Sequence, residues 1–382
     1  MSKITLVRGA RQLLTLHGPT GPRRGTDLRN LGLIQDGAVL IVDGLIQQVG
    51  PSRRVENIAL ARQAEEIDAT GRVVMPGFVD SHMHIAGDQS GASPRALERQ
   101  ALNVVEEAVR HGTTTLDTTS AEIKILKATL KQRLSVVSTF LCSPASAEYR
   151  ERPDEYLDWV CSHMLPLVTR RKLAEFAAIR CEEGAFDQDR ARFYLTAARD
   201  LGLGLKLHTG QRSNPRVIQL AAAMGAASVD HAVDVSQEDA VVLAQSKTIA
   251  TLLPGENFYL GAEPYPPARM LINSGVAVAL ATNYNSETSP SQNMQMMLTL
   301  GCRKMDMTPA EAVTAATLNA AHALRRASSI GSLETGKNAD LLILGVPDYR
   351  EIPCHFGINL VDLVMKNGSV LVERAEVKWP AS

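Results

Sequence analysis

Between residues 75 and 310 the sequence repeats one alternation, a short apolar run and then a stretch with helical spacing. The runs are "TTTLDTT", "LSVVSTFLC", "FAAIRCEEGAF", "GLGLKLHTG", "AASVDHAV", "TIATLLPG" and "VAVALATN". Segments such as "LERQALNVVEEAVRHG" and "ARFYLTAARDLG" lie between them. Strands buried on both faces read as continuous apolar runs, and an apolar period near 3.6 reads as amphipathic helix. With the run that ends at His84, the block holds about eight units, the number a (β/α)8 barrel needs. An open doubly wound sheet is the competitor, but no GxGxxG opens the first unit. The expected class is α/β, built on a TIM barrel.

The flanks read differently. "KITLVRGARQLLTL" and "GAVLIVDGLIQQVGP" are strand-like, and Asp43-Gly44 between two alternating runs predicts a hairpin. The Gly- and Pro-rich insert "HGPTGPRRGTDLRN" is expected to be a surface loop. From "GSLETGKNADLLILGV" to "VMKNGSVLVERAEVKW" strand and turn signals return. A single core stops growing near roughly 250 to 300 residues, so 382 residues suit one large domain and one small one. The expected division is a barrel over 75–329 and a composite β-sandwich from 1–74 and 330–382. Thr308-Pro309-Ala310-Glu311 predicts a capped helix start.

Composition excludes several functions. A hydrophobic fraction of 45%, a charged fraction of 21% and a net charge of -1 offer no attraction to nucleic acid or an anionic membrane. No window approaches the roughly 18 apolar residues of a membrane span. "MSKITLVRGARQLLTLHG" is interrupted by Arg8 and Arg11 and reads as a first strand rather than a signal peptide. Cys142, Cys161, Cys181, Cys302 and Cys354 form no CxxC pair, which fits a reducing cytoplasm and excludes a zinc finger.

In a barrel the chemistry sits at the C-terminal ends of the strands. Those ends supply His82, His84, Asp117, Cys181-Glu182-Glu183, His208, Asp230-His231 and Asn283, so four of the nine histidines gather there. His82 and His84, two residues apart on a strand, point to one face and can chelate one ion. A lone histidine after a strand is usually a hydrogen-bonded structural group. Two more, His208 and His231, converging on the same mouth favour a metal centre.

"PGFVDSHMH" with "GSLETGKNADLLIL" resembles the amidohydrolase superfamily, whose barrel begins at HxH and is accompanied by a small β-sandwich. "TLLPGENFYLGAEPYPPARMLINSGVAVALATNYNSETSPSQNMQMM", "EAVTAATLNAAHAL", "DYREIPCHFGINLVDLVMKNG", "DEYLDWVCSHMLP" and "CEEGAF" are similar to the imidazolonepropionase family within it. The resemblance implies one divalent metal, zinc or iron, held by His82, His84, His208 and the residue at 283. It also implies a metal-activated water that opens a C–N bond of a cyclic amide or amidine, a small-molecule substrate and a homodimer. His231 matches a histidine just outside the ligands. The family's aspartate is Asn283 here, and its glutamate three residues after the third ligand is Gln211. Its "GAH" reads "CSPAS", with Pro144 or Ala145 where a substrate-binding histidine stands, and its "KSGYGL" reads "TTSAEI".

An amide does not titrate near neutrality, and lost acid–base catalysis forfeits about 10²–10⁴-fold in rate. The expected catalytic positions are Asn283, Gln211 and His231. Asp117, Glu182, Glu183, Asp230, His231 and Glu287 are candidate replacement bases. The sequence leaves open a diverged hydrolase, a small-ligand binder without turnover, amides engineered or selected to trap substrate, and a scaffold that uses the barrel only as a shape.

Overall fold

Eight parallel strands form one sheet in chain order: Phe78–Asp80, Thr113–Ser120, Ser135–Cys142, Phe176–Arg180, Gly204–His208, Ser228–His231, Ile249–Leu252 and Val278–Leu280. The structure is a computed structural model that describes residues 2–85, 93–129, 134–143, 149, 151–182, 184–210 and 216–373. The sheet curls until its two ends meet. Beyond the first and last strands, the Asn283 amide donates to the His82 carbonyl at 3.0 Å and the His84 amide to the Tyr284 carbonyl at 2.8 Å. The same bonds carry His82 and His84 to the mouth.

The helices pack outside. Pro94–Arg110 is capped by Ser93, whose Oγ accepts from the Ala96 amide. Leu97, Ala101, Val104, Val105 and Ala108 form its buried stripe at the three-and-four spacing of an amphipathic helix. Thr308 and Glu311 cap the helix Pro309–Ala315 reciprocally, as their spacing predicted.

The barrel interior is polar at mid-height. Lys206 Nζ donates to Asp117 Oδ2 at 2.6 Å and to the Ser81 carbonyl at 3.2 Å, with both charged side chains fully buried. Thr139 Oγ1 also donates to Asp117. Phe176 lies below this pair and covers Gly204, where a Cβ would come within 2.5 Å of its ring. Asp117 was expected at the mouth as a candidate base. It sits instead in mid-strand, engaged by Lys206 and Thr139, because Thr113–Ser120 runs three residues past it.

The second sheet is mixed and draws on both chain ends. Its order is Ser369–Glu373, Val361–Lys366, Leu341–Leu344, Val73–Pro76, Ile4–Leu14, Leu33–Val42 and Leu45–Pro51, with Glu65–Asp68 also paired to Ile4–Leu14. The predicted hairpin forms: Val42 pairs with Leu45 across Asp43 and Gly44, whose φ values of 48° and 85° fit a type I′ turn.

The insert expected as a surface loop is more than that. It contains the 3-10 helix Gly25–Arg29, and Arg23 and Leu28 are buried. Arg24 donates to the carbonyls of Ala244, Ser246 and Gly275, tying the insert to the barrel. Gly and Pro mark irregular backbone, but they do not say whether that backbone faces water. No helix among the described residues is long and apolar enough to cross a membrane.

Candidate metal centre at the barrel mouth

His82 is anchored first. Its Nδ1 lies 2.9 Å from Asp230 Oδ2, and both side chains are 1% exposed. A carboxylate only accepts, so Nδ1 carries a proton, and Nε2 is buried with no hydrogen-bond partner. Burial acts to raise the Asp230 pKa, but His82 and then Lys206 outweigh it and hold the group at about 2. His84 Nδ1 donates to the Thr119 carbonyl at 2.9 Å. Burial and then the neighbouring His82 push His84 down to about 3.

His208 ends its strand and is 1% exposed. Burial, followed by His231, drives its pKa well below the ordinary histidine range, and its Nδ1 has no partner. The His208 ring lies 4.2 Å from that of His231 and 5.1 Å from that of His82, while His84 is 5.3 Å from His82. Ligand atoms of His82, His208 and His231 all fall within 4.8 Å of one another, the only such group among the described residues. The rings thus converge, with His208 held neutral by burial, and neutral imidazole is the form that binds metal.

Asn283 completes the circle. Its Nδ2 donates to Glu256 Oε2 at 3.0 Å, which leaves Oδ1 buried without a partner. The same Glu256 oxygen lies 3.3 Å from His231 Nδ1, so His231 Nε2 is also buried and unpartnered. Burial acts to raise the Glu256 pKa, but the bond to His231 and its charge outweigh it and lower the group below the usual carboxylate range. Asn283, His231 and Ala232 have φ values of 50°, 76° and 46°. The left-handed region costs on the order of 1–3 kcal/mol for such residues and is least strained for asparagine. Thr282 buttresses this turn by donating through Oγ1 at 2.5 Å and through its amide at 3.1 Å to Asp80, whose pKa burial raises to about 6.

Arg180 is the cation of the mouth. It pairs in register with His208 on the adjacent parallel strand, so both side chains leave the same face. Its Nε is buried without a hydrogen-bond partner, and its one ion pair among the described residues is with Glu182 Oε1 at 3.3 Å. Glu182 lies over Gly210, where a Cβ would come within 1.5 Å of its Oε2.

The structure thus brings together His82, His84, His208, His231 and Asn283. Asp230 is not free to act as a base because it holds His82. Glu287 is exposed on the turn that follows Asn283. Gln211, Glu183, Pro144 and Ala145 lie outside the described residues. Glu256 and Arg180 were not singled out in the sequence.

The chain belongs to the amidohydrolase family, whose model matches residues 73–371. That membership makes it a hydrolase acting on C–N bonds. Among curated proteins, it is 36% identical to the imidazolonepropionase of Alkaliphilus metalliredigens over 97% of this chain and 99% of that one. It is 38% identical to the imidazolonepropionase of Solibacter usitatus over 96% and 98%. Among solved structures, a triazine hydrolase variant superposes with a TM-score of 0.77 at 19% identity, covering 97% of this chain and 95% of that one. An adenosine deaminase from Xanthomonas campestris with bound zinc gives 0.73 at 16%, covering 97% and 93%. At these identities the structural likeness speaks for the fold alone.

Proposed function

We propose that the chain is a metal-dependent hydrolase of the imidazolonepropionase type, opening a C–N bond in a cyclic amide or amidine. The observation that carries this is the set of buried side-chain nitrogen and oxygen atoms without hydrogen-bond partners on His82, His208, His231 and Asn283, with ligand atoms of the three histidines within 4.8 Å of one another. Orphaned buried acceptors are costly unless something binds them, and a divalent cation is the ligand this set fits. His82, His208 and Asn283 of this set, together with His84, whose ring lies 5.3 Å from that of His82, are the proposed holders of one zinc or iron ion, and His231 is assigned the part of a base beside them. When bound, such an ion supplies Lewis-acid polarisation of a carbonyl and acidification of water to a pKa of about 7.

The remaining steps belong to the protein. Asp230 and the Thr119 carbonyl fix the tautomers of His82 and His84. His231, protonated on Nδ1 toward Glu256, offers Nε2 as the acceptor for a proton from the attacking water. It then returns that proton to the leaving ring nitrogen. Gln211 cannot titrate and keeps at most a hydrogen-bonding part. Arg180, with donors to spare at the mouth, faces an anionic group on the substrate. The similarity to imidazolonepropionases, whose name specifies an imidazolone ring carrying a propionate, supports such a substrate. Nothing in the relatives supports a small-ligand binder without turnover. Assaying the zinc- and iron-loaded protein against 4-imidazolone-5-propanoate, hydantoins and lactams tests the proposal. Turnover of an anionic imidazolone is expected, and metal-loaded protein inert toward all three classes contradicts it.

A further inference from the structure

Position 283 carries an amide, yet a carboxylate lies one residue further out. We propose that Glu256 is a positioning residue that supplies the negative charge missing at 283 and, through one oxygen, sets the orientation of both Asn283 and His231. This inference rests on the metal-site reading above.

The geometry makes the assignment. Glu256 Oε2 accepts from Asn283 Nδ2 at 3.0 Å and lies 3.3 Å from His231 Nδ1. If the amide were reversed, Asn283 Oδ1 would face that oxygen, acceptor against acceptor at hydrogen-bond distance. The carboxylate therefore selects the orientation that turns Oδ1 away from itself, where it is buried and without a partner. The same reasoning applies to the imidazole: a carboxylate beside Nδ1 keeps the proton there and frees Nε2. Glu256 can reach both because Leu253–Pro254 starts a short helix directly after the strand Ile249–Leu252, with Glu256 in its first turn. Thr282, bonded to Asp80, holds the opposite side of the turn that carries Asn283.

The consequence is a ligand set of imidazoles and an amide, with carboxylates one contact further out, Asp230 behind His82 and Glu256 behind Asn283. It follows that an aspartate at 283 does not suit a glutamate at 256, since two acceptor oxygens would replace the donor–acceptor pair now 3.0 Å apart. The amide at 283 and the acid at 256 form a matched pair.

The test is zinc affinity by competition with a chromogenic chelator near pH 7, on the wild type, Glu256→Ala, Glu256→Gln, Asn283→Asp and Asn283→Asp/Glu256→Gln. Removing a residue that orients metal ligands typically costs about ten- to a hundredfold in affinity, and Glu256→Ala is expected in that range. Asn283→Asp alone should gain little, whereas the double variant should bind tighter than either single variant. Equal affinity of Glu256→Ala and wild type, or the same gain from Asn283→Asp with and without Glu256, overturns the proposal.

A second readout uses no metal. In ¹⁵N spectra of the metal-free protein, His231 should be the Nδ1–H tautomer and should lose that preference in Glu256→Ala. An unchanged tautomer overturns the positioning role. A wild type that binds no zinc while the tautomer responds to Glu256→Ala would sink the metal-site reading and leave the positioning role standing.

Discussion

Arg180 and His208 are register partners on adjacent parallel strands, so a guanidinium and an imidazole held neutral by burial leave one face side by side. A hydrogen bond to a charged group contributes about 1.5–3 kcal/mol. Arg180→Gln should therefore raise KM for an anionic cyclic amide by on the order of ten- to a hundredfold, with a far smaller change for a neutral lactam. Steady-state kinetics on the two substrate classes distinguishes this from a general loss of activity, which would change both alike.

His82 depends on Asp230. In Asp230→Asn the carboxylate that fixes its tautomer is gone, and metal affinity should fall by about ten- to a hundredfold while the fold persists. Chelator competition reads the affinity, and circular dichroism reads the fold.

Metal-free protein should lose stability as pH falls. His84 titrates at about 3, and burial also pushes His208 well below its ordinary value. Below roughly 6.5 the unfolded chain therefore binds protons that the folded chain refuses, and each such group lowers stability by about 1.4 kcal/mol per pH unit. For His84 the loss continues until pH approaches its folded value of about 3. Thermal melts between pH 7 and 5 should show a steady fall, which His84→Asn makes shallower. A flat profile would mean that these rings are not held neutral.

The Lys206–Asp117 pair is structural. Lys206→Met leaves a buried carboxylate unpaired and should cost about 3–5 kcal/mol, whereas Lys206→Met with Asp117→Leu should recover much of that. Denaturant titration measures both; equal destabilisation by the single and double variants would contradict the pairing.

Much of this was legible in the sequence, for a physical reason. A barrel delivers its chemistry at strand ends, so His82, His84, His208, His231 and Asn283 could be collected by reading where the apolar runs stop. Two residues escaped. The run "FAAIRCEEGAF" points to Cys181 through Glu183 as the residues delivered, but its strand ends at Arg180, and strand parity turns Arg180 to the same face as His208 while Cys181 is fully buried. Glu256 lies four residues past a strand, inside the first turn of a helix, where a strand-end rule does not look. The proline and glycine before it, which start that turn at the barrel mouth, were the available signal. Asp117 failed in the other direction: only the pairing of strands shows that Lys206 sits opposite it.

The central claim is that His82, His84 and His208 share one divalent ion with Asn283. Metal stoichiometry tests it most directly: dialyse the protein against a small excess of zinc, remove free ion and measure bound zinc by mass spectrometry. About one zinc per chain is predicted for the wild type, falling to near zero in His82→Ala and in His208→Ala. Wild-type protein that retains no zinc, or variants that retain as much as the wild type, would contradict the account.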